Sequence, residues 1–331
     1  MVLIVGAGAV GTILAGYLDA AKQAVKLFTR AKDVDAFQHA QNLSVDRITG
    51  GPPLIGHKPG LTTSLDELTD VRYLIICVKY PALDEVLSSL PDELPPNLTL
   101  ITTLNGVGAI RKIRERYPNQ PSAVMTIMFN GQLLEPLHAR ITTKPQILID
   151  TDDKQLLQLF DGSGMKVTRA AGEAAAWGKL LINLANAIGA VTHTTFKDLL
   201  TDPQLRQIFT ATLDEATATL EAAGIRYELP VPLPYRAYRQ LLLNGGPLPW
   251  WFAKLKNGLS DGSYPSMVAD VDAGRPTEVR QLNGEIVSLG KKHGHPTPIN
   301  QRLCELVEAV GESGQPIFLS SAQLHQRLLP A

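Results

Sequence analysis

The chain opens with a short apolar run, Val2-Leu3-Ile4-Val5, that passes directly into Gly6-Ala7-Gly8-Ala9-Val10-Gly11. An Ala- and Leu-rich stretch of helical period follows, over residues 9–20. A G-x-G-x-x-G on its own says little. Placed between a strand and a helix, each glycine acquires a mechanical task. The first permits the tight turn, the second lets backbone approach a pyrophosphate, and the third lets helix and strand pack closely. The helix start then offers N–H groups and the positive end of its dipole to phosphate. This element points to a parallel α/β architecture, with Gly6 to Gly11 as the expected cofactor-binding turn; the alternative is a Gly-rich turn with no ligand.

The pattern beyond it agrees. Residues 24–28, 73–78, 98–101 and 122–128 read as strands, with helices over 31–40, 82–89 and 106–116 between them. Such alternation builds a doubly wound, Rossmann-type parallel sheet. Residues 43–48 and about 137–149 read as additional strands. From Gly172 onward helical periods dominate, over 173–191, 203–223, 235–243, 276–292 and 298–310, with 244–249 as a loop. The 331 residues suit two domains. The expected division is a Rossmann domain over 1–168 and an α-helical substrate and catalytic domain over 169–331.

Dinucleotide sites selective for NAD usually place an acidic residue about 20 residues after the glycines, on the ribose hydroxyls. Here the second strand ends in Thr29-Arg30, with Lys32 close by. A guanidinium suits a 2′-phosphate, so the expected cofactor is NADPH; the alternative is a solvated loop arginine. Lys79 and Asn105 follow two further strands, at the sheet edge that faces ligands in such folds. Each is a candidate cofactor contact or a plain turn residue.

In the helix 173–191, Trp177, Leu180, Leu181, Leu184 and Ile188 form an apolar face. Lys179, Asn183 and Asn186 form a second stripe at i, i+4 and i+7, flanked by small residues. That stripe is either a solvated face or the wall of a site. Reducing a ketone by hydride leaves negative charge on oxygen, which a protonated amine can stabilise and then protonate. Glu278 falls in the first turn of the expected helix 276–292, where the dipole favours a carboxylate. It also borders the stripe of Val279, Leu282, Ile286 and Leu289, at the edge of a buried surface.

Together these stretches resemble the ketopantoate reductases (2-dehydropantoate 2-reductases). The resemblance rests on Gly6–Gly11, Val78-Lys79, Asn105-Gly106-Val107-Gly108, the run Trp177 to Asn183, and Ser266-Met267 through Gly274-Arg275-Pro276-Thr277-Glu278 to Asn283-Gly284 and Lys292-His293-Gly294. It implies NADPH-dependent reduction of 2-dehydropantoate to pantoate, as in pantothenate biosynthesis. It further implies Lys179 as general acid, Glu278 as catalytic glutamate, and Asn183 and Ser266 as substrate-holding residues. Asn105 would lie near nicotinamide and substrate, and Arg30 and Lys79 at the adenosine phosphate. Without the resemblance Ser266 reads as a helix N-cap.

Two positions depart from the family pattern, and so does the segment 244–252 with its two tryptophans. Its second substrate asparagine, one turn after Asn183, is Ala187 here, and the nearest asparagine is Asn186, about 100° away around an ideal helix. Another family asparagine is replaced by Lys197. The alternative functions are therefore reduction of another branched or aromatic 2-oxo acid, or a non-catalytic NADPH-binding sensor. A sensor would be expected to lack the lysine or the glutamate, and both are present.

The formal net charge of -1 gives no bulk attraction to nucleic acid or an anionic membrane. Neither a basic leader nor an uncharged apolar span of transmembrane length is evident. The expectation is a cytoplasmic protein with a small-molecule 2-oxo acid as partner and a homodimer compatible with its helical half. Cys77 and Cys304 have no metal-ligand spacing, and no metal site is expected.

Overall fold

The structure, a computed structural model, describes residues 1–48, 51–312 and 317–329. It divides into two compact units, Met1–Glu173 and Ala174–Ala331.

The first unit contains strands β1 (Val2–Val5), β2 (Val25–Phe28), β3 (Leu43–Arg47), β4 (Leu54–Gly56), β5 (Gly60–Thr62), β6 (Tyr73–Ile76), β7 (Thr99–Thr102), β8 (Ser122–Ile127), β9 (Gly131–Glu135), β10 (His138–Ile141), β11 (Gln146–Ile149) and β12 (Lys166–Arg169). Its helices are α1 (Ala9–Ala20), α2 (Val34–Gln38), α3 (Leu83–Ser89), α4 (Gly108–Arg116) and α5 (Lys154–Leu157). The main sheet has the order β12-β11-β8-β7-β6-β1-β2-β5, parallel throughout except where β11 meets β8. The chain steps from β1 to β2 on one side and later resumes at β6 on the other. That reversal beside β1 is the switch point at which α/β sheets bind ligands.

Every residue of β1 is buried, as a central parallel strand covered on both faces requires. Val2 and Ile4 join one apolar cluster with Ile13, Leu14 and Tyr17 of α1, whereas Leu3 and Val5 join another with Leu83, Ala109 and Ile113 of α3 and α4. A smaller sheet, β4-β3-β10-β9, packs on α1. There Gly16 lies so close to β3 that an added Cβ would sit 2.5 Å from Val45 Cγ2.

The sequence reading missed β4, β5, β9 and β12, all short and lightly patterned. β12 also moves the division between the units. An expected boundary at 168/169 would cut a strand that pairs with β11 through Arg169, and the compact unit runs on to Glu173, which is ion-paired with Arg114.

The second unit is helical: α6 (Ala174–Asn183), α7 (Ala185–Thr192), α8 (Phe196–Thr201), α9 (Pro203–Ala222), α10 (Tyr235–Asn244), α11 (Leu248–Asn257), α12 (Ser266–Asp272), α13 (Asn283–His293), α14 (Pro298–Glu312) and α15 (Ser321–Leu328). Asp202 caps α9 by accepting from the Gln204 and Leu205 N–H groups, with Pro203 at its first position. By length and composition the run Ala174–Thr192 could cross a bilayer, yet 78% of it is buried within the protein, as in a core helix. The expected loop 244–249 gives way at Leu248 to α11, which buries Trp250 but leaves Trp251 53% exposed beneath the Lys254 ammonium.

One expected helix is corrected. Residues 276–292 do not form a single helix from Pro276. A 3₁₀ turn covers Val279–Gln281, Leu282 departs from helical geometry (φ -110, ψ -87), and α13 starts only at Asn283. Glu278 precedes the 3₁₀ turn, so the first-turn dipole explanation for its carboxylate does not hold.

Candidate active site

On the first unit the parallel strands deliver the candidate cofactor residues to one sheet edge. Gly6 follows β1 and Arg30 lies just beyond β2. Lys79 lies beyond β6 and Asn105 beyond β7. Gly6 takes φ +109, and a Cβ there would lie 2.9 Å from the Cys77 carbonyl carbon. The third glycine is tighter still: a Cβ on Gly11 would come within 2.0 Å of Gly6 O. Over Gly8, by contrast, a Cβ would meet nothing within 4 Å. Two glycines thus serve close packing and the middle one leaves open space, as approach of a pyrophosphate requires. Ala7, Ala9 and Val10 complete the turn, and α1 starts with neither a side-chain cap nor an acidic residue in its first turn. The residues present fit a dinucleotide.

Arg30 is exposed, and its Nε donates to Asp33 Oδ2 at 2.8 Å. The basic group expected at the 2′-phosphate therefore carries a carboxylate partner three residues along the chain. Cys77 lies just past β6, and burial pushes its thiol up to about 12, so it is no nucleophile near neutral pH.

On the second unit, α6 carries Lys179 and Asn183. Burial lowers the Lys179 pKa from 10.5 to about 8, and the Glu278 carboxylate opposes that shift. Although Lys179 retains some exposed surface as a residue, its ammonium is well enclosed. The helix is held where it is by Gly178: a Cβ there would fall 1.7 Å from the Glu228 carbonyl oxygen. Glu228 N–H in turn donates to the Ala174 carbonyl at 2.8 Å.

Ser266 is the first residue of α12, preceded by Pro265, so it is not the N-cap that its sequence context suggests. Pro265 packs on Gly189 of α7, where a Cβ would meet its ring at 2.6 Å. Across this contact the Asn186 amide donates to Ser266 Oγ at 3.3 Å. Asn186 is buried and Ser266 is exposed. The second unit thus brings Lys179 under the influence of Glu278 and joins Asn186 to Ser266. Ala187 is fully buried, and Lys197 is ion-paired with Asp261 at 2.8 Å.

A further set escaped the sequence reading. Asn283 Nδ2 donates to Asn300 Oδ1 at 3.1 Å. Asn300 Nδ2 donates to the Thr212 carbonyl and to Glu215 Oε1. Glu215 also accepts from the Ile299 and Asn300 N–H groups, and burial raises its pKa despite these donors. This buried network ties the start of α13, just after the irregular segment bearing Glu278, to α9 and α14. Its only sequence trace was Asn283-Gly284, and nothing in local spacing links Glu215 to it.

A glycine turn that fits a dinucleotide on one unit, and an enclosed lysine ammonium influenced by a carboxylate on the other, are features an NAD(P)-dependent oxidoreductase requires. Comparison with known proteins narrows the class. Residues 2–153 match the family described as Ketopantoate reductase PanE/ApbA, and residues 172–311 match its C-terminal counterpart. The 2-dehydropantoate 2-reductase of Aquifex aeolicus is 26% identical over 324 residues, covering 93% of this chain and 96% of that protein. The fold is shared with a PanE/ApbA family ketopantoate reductase from Ralstonia eutropha (TM-score 0.78, 22% identity, 94% and 99% of the two chains). It is shared equally with D-mandelate dehydrogenase, solved with NADH and anilino(oxo)acetate (TM-score 0.78, 20% identity, 95% and 99%). The chain belongs to the ketopantoate reductase family.

Proposed function

We propose that this protein reduces 2-dehydropantoate to pantoate with NADPH, in the cytoplasm. The observation that carries the reading is Lys179, whose enclosed ammonium titrates at about 8 under the opposing influence of Glu278. An acid that gives up its proton near the working pH suits general acid catalysis. The chemistry that NADPH would supply when bound is the hydride for the ketone carbon. Lys179 Nζ stabilises the charge that grows on the carbonyl oxygen and donates its proton there, which completes the alcohol. Glu278 favours the protonated amine and orients the hydroxyl. Asn183 and Ser266 hold the acid, with Asn105 near the reacting end. On the first unit, Gly6, Ala7, Gly8, Ala9, Val10 and Gly11 would hold the pyrophosphate, and Arg30 and Lys79 the adenosine phosphate.

A second reading keeps this chemistry and changes the acid. It is motivated by Ala187, fully buried and without a polar group, and by Lys197, whose amine is engaged by Asp261. Loss of NADPH absorbance, followed with purified protein and a panel of 2-oxo acids, separates the two. Highest kcat/KM with 2-dehydropantoate supports the first reading, and preference for a bulkier acid supports the second. Turnover with none of them overturns both. Lys179→Ala should bind NADPH and lose turnover; unchanged turnover would remove Lys179 from its role.

A further inference from the structure

The helical run that carries Lys179 and Asn183 is interrupted at one residue. Between α6 and α7, Leu184 N–H donates both to Leu180 O at 3.1 Å and to Leu181 O at 3.2 Å. The second of these is a 3₁₀ bond. An α-helix turns about 100° per residue, which leaves a side chain at i+3 well short of the one at i. In a 3₁₀ turn positions i and i+3 eclipse. Leu184 N–H is thus shared between an α-helical and a 3₁₀ acceptor, and a turn tightened in this way holds Asn186, at i+3 from Asn183, nearer to its line than an ideal α-helix does. Asn186 is buried, yet its amide emerges onto Ser266 Oγ at 3.3 Å, at the exposed start of α12.

The direction of that bond matters. The Asn186 Nδ2–H group donates, so Ser266 Oγ accepts. A hydroxyl has one proton and two lone pairs. With one lone pair occupied from behind, the Ser266 proton is left to point outward as a donor. The geometry points to Asn186 as a positioning residue that fixes Ser266 as a hydrogen-bond donor to the carboxylate of the 2-oxo acid. This inference rests on the proposed 2-oxo acid reduction. It gives the chain a polar group that reaches Ser266 although position 187 is alanine.

The test compares Asn186→Ala, Asn186→Asp and Ser266→Ala in the NADPH-saturated enzyme, with KM and kcat for 2-dehydropantoate and NADPH affinity measured separately. A hydrogen bond to a charged group is worth enough that Asn186→Ala and Ser266→Ala should each raise KM about 10- to 100-fold, with kcat less affected and NADPH affinity unchanged. Combined, the two substitutions should cost little more than Ser266→Ala alone, because Asn186 acts through the serine. Asn186→Asp keeps the shape but accepts where the amide donates. It turns the Ser266 proton inward and sets a negative charge near an anionic substrate. It should therefore raise KM more than Asn186→Ala does, the reverse of what mere space-filling predicts. Aspartate milder than alanine, or additive effects of the two sites, overturns the inference while the functional reading stands. A wild-type protein that neither turns over any 2-oxo acid nor binds pantoate by calorimetry overturns the functional reading and this inference with it.

Discussion

The pairing of Lys179 with Glu278 makes a specific prediction about pH. Lys179 titrates at about 8, with burial pulling its pKa down and Glu278 holding it up. A general acid must be protonated to act, so kcat/KM at saturating NADPH should fall on the alkaline side with a midpoint near 8. Glu278→Gln keeps size and polarity while removing the charge. A carboxylate a few ångströms away typically changes an amine's proton affinity by about 10- to 1000-fold, and partial exposure of Glu278 favours the lower end. The alkaline limb should then move about one to two pH units downward. At pH 8 the protonated fraction would drop from about one half to about a tenth or less. The variant will also lose plateau activity, because Glu278 is proposed to orient the hydroxyl, but plateau height and midpoint are separate parameters of one profile. The assay is NADPH oxidation between about pH 6 and 10, fitted for both. A limb that stays at its wild-type midpoint in Glu278→Gln would refute the coupling. A limb that moves upward would refute the sign of the argument.

Three further outcomes follow from the geometry. Asp33→Ala removes the carboxylate held by Arg30 at 2.8 Å and should raise the NADPH-to-NADH preference several-fold, whereas Arg30→Ala should lower it; a fall in both, measured as kcat/KM ratios, would detach Arg30 from the 2′-phosphate. Lys179→Met should stabilise the fold near neutral pH. The folded-state pKa of about 8 lies below the ordinary 10.5, so the unfolded chain binds more protons between those values, and the stability that comes with a neutral amine, present above 10.5, is lost as pH falls through 8. Methionine removes that penalty, at most about 3 kcal/mol, so Tm should rise by several degrees at pH 7 and the gain should shrink above about pH 8. Gly178→Ala places a methyl 1.7 Å from the Glu228 carbonyl oxygen and should cost about 1–3 kcal/mol or more, read as a lower Tm of the helical unit with NADPH binding retained.

Much of the nucleotide-binding unit was legible because its rules are local. A buried parallel strand must be apolar on both faces, and Val2–Val5 is; a turn onto a helix at that spacing needs glycines, and Gly6, Gly8 and Gly11 are there. The short strands β4, β5 and β9 carry no such mark. Three to five residues on a sheet edge or a half-exposed layer lack a period long enough to read. The partner of Arg30 was missed for another reason. Asp33 is only three residues away, but whether the two side chains meet depends on the 3₁₀ turn at Ala31–Asp33, which an ordinary helical pattern over 31–40 conceals.

In the helical unit the two departures from regular helix fall beside the candidate site. Sequence periodicity draws one continuous helix through Asn183, Asn186 and Ile188, and another from Pro276 through Glu278. The structure tightens the first at Leu184 and breaks the second at Leu282. Neither break is marked by proline or by a glycine at the interrupted residue, so propensity offers no warning of it. What fixes them is tertiary. Gly189 seats Pro265 against α7, and the Asn283, Asn300 and Glu215 network pins the start of α13 to α9 and α14. Buried polar groups are costly when unpaired, and although Asn283 Oδ1 has no hydrogen-bond partner, the Asn300 amide and the Glu215 carboxylate are engaged on several sides, so the network tolerates little rearrangement. Local regularity has been given up at two places in this unit. One orients an amide toward Ser266, and the other frees Glu278 from a helix end to act on Lys179. This is where a fold is expected to break its own local rules, because a reactive group must be held by its surroundings rather than by the helix it sits on.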